Sequence, residues 1–183
     1  MTTVRIVQAV AASLLALSAP AVRAAPAARA AAKPESPAQA RLARLKSLAG
    51  TWTGKAQAGH AGAAPMDATV VWSVTGAGSA VVETVFPGTP HEMMTVYTVD
   101  GHDLVLTHYC SAGNQPVMKA KAGGSPDAIA FDFVRGGNMK LTDSHMHSAV
   151  ITFVSDDALR TEWTGWDGGK PTGVAKFELA RQR

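Results

Sequence analysis

The stretch "ATVVWSVT", residues 68–75, sets Val70, Trp72 and Val74 against Thr69, Ser73 and Thr75. Apolar and polar side chains alternating with a period of two belong to a strand that buries one face and wets the other. The same period recurs in "AIAFDFV", residues 128–134, where Ile129, Phe131 and Phe133 oppose Ala130 and Asp132. From Gly50 almost to the last residue the pattern holds, and it predicts strands over 50–58, 68–75, 79–86, 92–99, 103–110, 116–122, 128–134, 146–155, 158–166 and 173–181. The breaks between them are turn chemistry: "TGAG", "PGTP", Asp100-Gly101, "AGNQP", "GGSPD", "RGGN", Asp156-Asp157 and "DGGKPTG". Almost every connection is of hairpin length. That favours an all-β, ten-stranded antiparallel up-and-down barrel over a Greek-key sandwich, which needs long crossings, and closure removes both exposed edges.

Working towards the N-terminus, Ser36 and Gln39 frame a capping box, Pro37 takes the first helical position, and Leu42, Leu45 and Leu48 recur at helical spacing until Gly50. A short helix over 37–49 is expected, with a leucine stripe suited to closing one mouth of the barrel. Before it, "APAARAAAKPESP" has little to pack and reads as a tether over 25–36. The chain opens with Arg5, an apolar run from Ile6 to Leu17, and small residues around Ala24, the layout of an export signal over 1–24. That run is well short of the roughly 20 residues that span a bilayer. Periplasmic or secreted localisation, cleavage after Ala24, a barrel domain over 37–183 and no stable membrane insertion are the expectations.

Of 17 basic side chains, Arg5 and Arg23 fall in the signal, which leaves 15 against 14 acids and a net charge of +1. With no Lys/Arg cluster on one face, the electrostatic footprint of nucleic-acid binding is missing. Cys110 is the single cysteine, so an internal disulfide is excluded and burial is the common fate of such a thiol.

"LAGTWTG", residues 48–54, resembles the Gly-x-Trp that opens the first strand of lipocalins and other calycins, directly after a short closing helix. "AKFELAR", residues 175–181, ends in Arg181 as the last strand of many such barrels ends in an arginine over that tryptophan, and a guanidinium on the face of Trp52 gains roughly 0.5–2 kcal/mol. The likeness is nearest to uncharacterised bacterial exported calycin-like domains. Ten strands also resemble fatty-acid-binding proteins and nitrobindin-type haem barrels, although the latter imply a haem-ligating histidine close to the C-terminus, and the last histidine here is His147. The resemblance implies a barrel that encloses a small molecule.

Candidate chemistry follows from strand parity. Leu104, Leu106, His108 and Cys110 share a face that the leucines mark as inward, and His147 is grouped with Ala149, Ile151 and Phe153, with His145 at the strand's mouth. The expected cavity wall comprises Trp72, Leu104, Leu106, His108, Cys110, Met118, Phe131, Phe133, His147 and Trp163, around a small apolar ligand. No cofactor is required by this reading. The alternative is zinc, copper or haem held by His108, Cys110, His145 and His147. The methionines of "PHEMMTVY", residues 90–97, suit adaptable packing. Glu83, among valines, either faces water, which is the preferred reading, or becomes a buried carboxylate at the cavity wall. A nucleophile elbow, a His-Glu-x-x-His and a phosphate loop are missing, and a Cys110 nucleophile with His108 as base is poorly aligned because side chains two apart on a strand run parallel. An enzyme using the same cavity is the remaining alternative.

Overall fold

Residues 36–183 are described by a computed structural model. The expected signal (1–24) and nearly all of the tether lie outside the described residues. Chain order runs α1 (Pro37–Lys46), β1 (Gly50–Gln57), β2 (Met66–Thr75), β3 (Ala80–Val85), β4 (Met93–Asp100), β5 (Asp103–Tyr109), β6 (Gln115–Ala120), β7 (Ala128–Gly137), β8 (His145–Ser155), β9 (Ala158–Asp167) and β10 (Lys170–Arg181). Each strand pairs antiparallel with its sequence neighbours, and β10 pairs back onto β1 to close the barrel. The all-β, ten-stranded antiparallel barrel with one short N-terminal helix is therefore the architecture of the molecule. The helix stops three residues before the expected end, because Ser47 caps it with backbone bonds to Arg44 and Leu45.

Closure is concentrated at the signature residues. Trp52 and Arg181 face each other across the β1–β10 pair, with the guanidinium carbon 4.4 Å from the ring centre. The Trp52 indole donates to Leu48 O (2.7 Å), while Arg181 donates to Ser47 O (2.8 Å) and Ala49 O (2.9 Å). Arg181 thus ties the last strand to both the first strand and the end of the helix. Gly50 has φ +130°, and a Cβ there would lie 3.3 Å from Arg181 Nη1, so the turn takes glycine for backbone and for space.

α1 lies over one end of the barrel. Its Ala38, Leu42 and Leu45 are buried, and Arg41 donates to Lys121 O (2.8 Å) and Gly123 O (2.9 Å) on the β6–β7 connection. Beneath it Trp52, Val70, Trp72, Val81, Tyr97, Leu104, Leu106, Met118, Phe131, Ile151 and Leu159 fill the barrel with one continuous core. This half is packed with side chains, as small barrels can be. At the opposite end the connections β1–β2, β3–β4, β5–β6, β7–β8 and β9–β10 ring a mouth over which no helix lies among the described residues. No helix among those residues is long and apolar enough to cross a membrane.

Candidate functional site

At the uncovered end an apolar cavity of about 160 Å³ enters the barrel, lined from β1 to β5 and from β8 to β10 and walled by Ala56, Val85, Phe86, Met93, Trp163 and Phe177 among others. Beside it, towards the rim, a recess of about 240 Å³ runs past Cys110, His145, Met146 and Gly165 and shares Met146, Trp163 and Ala175 with it. Gln57 and His108 bring the polar atoms to the inner cavity. His108 is 3% exposed, and its ring lies 4.9 Å from that of Trp163. Nδ1 is tied to Thr95 Oγ1 at 2.9 Å, while Nε2, on the other edge of the ring, is buried and has no hydrogen-bond partner among the described residues. Burial pushes the His108 pKa down to about 4, so the ring is neutral at pH 7.

Behind His108 a polar row crosses the sheet. Trp72 pairs with Glu83, Glu83 with Thr95, and Thr95 with His108, direct cross-strand neighbours from β2 to β5. Inward parity in four adjacent strands lines these side chains up without any loop. Glu83 is 1% exposed, which overturns the expectation that it faces water: it shares parity with the buried Val81 and Val85, and Thr84 takes the outer face. Tyr97 Oη donates to Glu83 Oε2 at 2.6 Å. Desolvation pushes the Glu83 pKa up to about 7 in spite of that bond. The same burial, together with Glu83, holds the Tyr97 pKa well above its ordinary value, and Thr95 pulls it the other way as a hydrogen-bonding side chain. Glu83 Oε1 and Trp72 Nε1 are buried without a partner among the described residues.

The expected wall divides into three groups. His108 and Trp163 line the inner cavity, and Cys110 lines the recess at the rim. Trp72, Leu104, Leu106, Met118 and Phe131 pack in the solid core towards the helix and touch neither space. His147 departs for a local reason. The β8–β9 register slips between Met146 and Ser148, which leaves His147 as an extra residue and gives the inward position to Met146. His147 instead stacks on Trp166 (4.1 Å, 15°), whose parity opposes that of inward Trp163, and on Phe133 (4.9 Å, 14°). Phe133 keeps its place opposite the buried Met118, the β6–β7 slip leaving Val134 as the extra residue, but it is half-buried and packs against His145 and His147.

Cys110 is not deep in the wall. β5 ends at Tyr109, and Cys110 opens the turn by exchanging backbone bonds with Gly113 and Asn114, half-buried. His145 Nε2 meets His147 Nδ1 at 3.0 Å, so that pair is brought together, but no group of three or more His, Cys, Asp or Glu side chains converges among the described residues. Sequence reasoning passed over Thr95 and Tyr97 altogether. Their common parity with Met93, opposite Met94, was the available signal.

No protein-family model matches the chain, and no curated protein matches it significantly. Among solved structures it is similar to Rv2717c from M. tuberculosis, at 18% identity, with 81% of this chain and 99% of that one covered and a TM-score of 0.53. It is also similar to a protein of unknown function from the DUF3598 family of Nostoc punctiforme, at 12% identity, 74% of this chain covered and a TM-score of 0.52. The chain spans about half of that protein, 48% of its length. Likeness at such identities is a likeness of fold.

Proposed function

We propose that this is an exported, calycin-like barrel that binds a small, mostly apolar molecule in its uncovered mouth, with His108 as the polar anchor. One observation carries the reading: an apolar cavity whose wall holds a neutral histidine with one buried nitrogen that has no partner among the described residues. A buried polar atom left unpaired costs free energy, and a ligand that pairs with it recovers that cost. Apolar cavities of roughly 150 Å³ take up benzene-sized molecules. The inner cavity suits a ring or a short chain of that size, and the rim recess gives room for an extension.

The test is titration of the folded protein with anilinonaphthalene sulfonate, followed by displacement with cyclohexanol. Saturable uptake with quenching of tryptophan emission is expected, and the quenching should fall in Trp163→Phe. Ala175→Phe, which fills the space shared by cavity and recess, should abolish uptake while the circular dichroism stays that of the wild type. Uptake undiminished in Ala175→Phe would reject the site.

A further inference from the structure

We infer that His108 meets its ligand as a hydrogen-bond donor: Thr95 holds the ring proton on Nε2, and the small molecule of the mouth is a neutral ketone, aldehyde, ester or ether. The inference deepens the proposed binding function and rests on that reading of the cavity.

Thr95 and the neutral imidazole hold two protons between them, one on Oγ1 and one on the ring, and these can be arranged in two ways across the 2.9 Å contact. In the first arrangement Oγ1–H donates to Nδ1 and the ring proton sits on Nε2. In the second Nδ1–H donates to Oγ1, Nε2 is bare, and the hydroxyl proton needs another acceptor. Thr95 is fully buried, and its Oγ1 has no other hydrogen bond among the described residues. Tyr97 Oη, also buried on β4, is bonded to Glu83 Oε2 at 2.6 Å.

Each arrangement leaves one buried donor unpaired in the free protein, but at a different address. In the first it is Nε2–H, and His108 stands in the cavity wall. In the second it is the Thr95 hydroxyl, and Thr95 does not line the cavity. A ligand can complete the first arrangement and can never complete the second. Buried donors without partners are rare in folded proteins because each carries a desolvation cost, so the bound state takes Nε2–H.

The rest of the wall narrows the class of ligand. No charged side chain lines the inner cavity, and Gln57, exposed at its edge, donates its Nε2 to Ala63 O at 3.1 Å. Burial keeps His108 uncharged at pH 7. A carboxylate would therefore be buried without a counter-charge, and an alcohol would pair through its oxygen while burying its own proton against apolar side chains. A carbonyl or ether oxygen takes the N–H and leaves nothing unpaired.

Cyclohexanone and methylenecyclohexane share a shape, and only the ketone carries an acceptor. Their displacement of bound anilinonaphthalene sulfonate is compared in the wild type and in His108→Phe, which keeps a ring at the site. The ketone should lose about tenfold in affinity in the variant and the hydrocarbon less than about twofold, the scale of one buried hydrogen bond. Ketone affinity that is unchanged or higher in His108→Phe overturns the inference while leaving the cavity in place, since a bare Nε2 would repel the carbonyl oxygen.

A reading without ligand separates this idea from the binding proposal. The imidazole ¹⁵N shifts of His108 in the unliganded wild type should show the Nε2–H pattern, and the Nδ1–H pattern overturns the inference whatever binds. Thr95→Val deletes the hydroxyl donor and should let the Nδ1–H form appear, while Thr95→Ser should suppress it again. A tautomer that ignores Thr95→Val overturns the role of Thr95. If the Nε2–H pattern is found and neither probe displaces the dye, the donor assignment stands and the cavity proposal falls.

Discussion

Glu83 and His108 lie close together in the barrel, yet their pH linkages have opposite signs. Glu83 is raised from 4.5 to about 7, so the folded protein holds a proton that the unfolded chain has released, and stability falls as pH climbs through that window. His108 is lowered from 6.5 to about 4, so its contribution is fully present above 6.5 and is lost as pH falls towards 4. Each shift corresponds to about 3 kcal/mol, and the two oppose each other where the windows overlap. Removing one should expose the other. Glu83→Gln should gain stability on wild type by about 2 kcal/mol more at about pH 8 than at about pH 5, read from urea midpoints at each pH. An advantage independent of pH would show that Glu83 stays ionised in the fold. At the rim, half-buried Cys110 should react with a thiol reagent in the folded protein more slowly than in denaturant, and more slowly again once dye occupies the adjoining recess. Labelling that ignores the dye would separate the recess from the binding site.

At the scale of elements, the barrel is locked where α1, β1 and β10 meet. Arg181→Ala removes the stack on Trp52 and leaves the Ser47 and Ala49 carbonyls without their guanidinium donors. A loss of about 2–3 kcal/mol in urea unfolding is expected, and lysine should not restore it because a point charge lacks the planar fork. Ser36→Ala deletes the Oγ acceptor of the capping box and should cost about 1 kcal/mol, confined to the helix and visible as faster amide exchange over residues 38–40. The strands themselves were legible. β2, β5, β9 and β10 carry clean alternation between turn residues, and their limits were off by a few residues at the ends where side chains leave the core. The sites of slippage in β6–β7 and β8–β9 were not legible. A bulge is one residue more on one strand than on its partner, and a strand read alone has no partner to count against. That is why parity alone groups His147 with the inner wall.

For the whole molecule, a barrel with a solid half and a hollow half predicts that ligand and fold are coupled at one end only. Saturating cyclohexanol should raise the melting temperature, while α1 amides exchange at an unchanged rate, since the helix sits over the packed end away from the cavity. Faster or slower exchange in α1 on binding would show that the two ends communicate.

What the chain determined by itself is the type of each element and the manner of closure, because period-two alternation, hairpin-length turns, the capping box and the Gly-x-Trp with its distant arginine are local patterns with local physical causes. His108 was also readable as inward, from its parity with two leucines. What tertiary structure alone decided is which inward residues fill space and which leave it empty, since that depends on the volumes of side chains arriving from all ten strands at one height of the barrel. It also decided the polar row. Glu83, Thr95 and His108 are 12 and 13 residues apart along the chain and become neighbours only through the registers of β3, β4 and β5. Burial then does to the pKa values of Glu83 and His108 what no sequence distance can, by removing the water that would have kept each at its ordinary value.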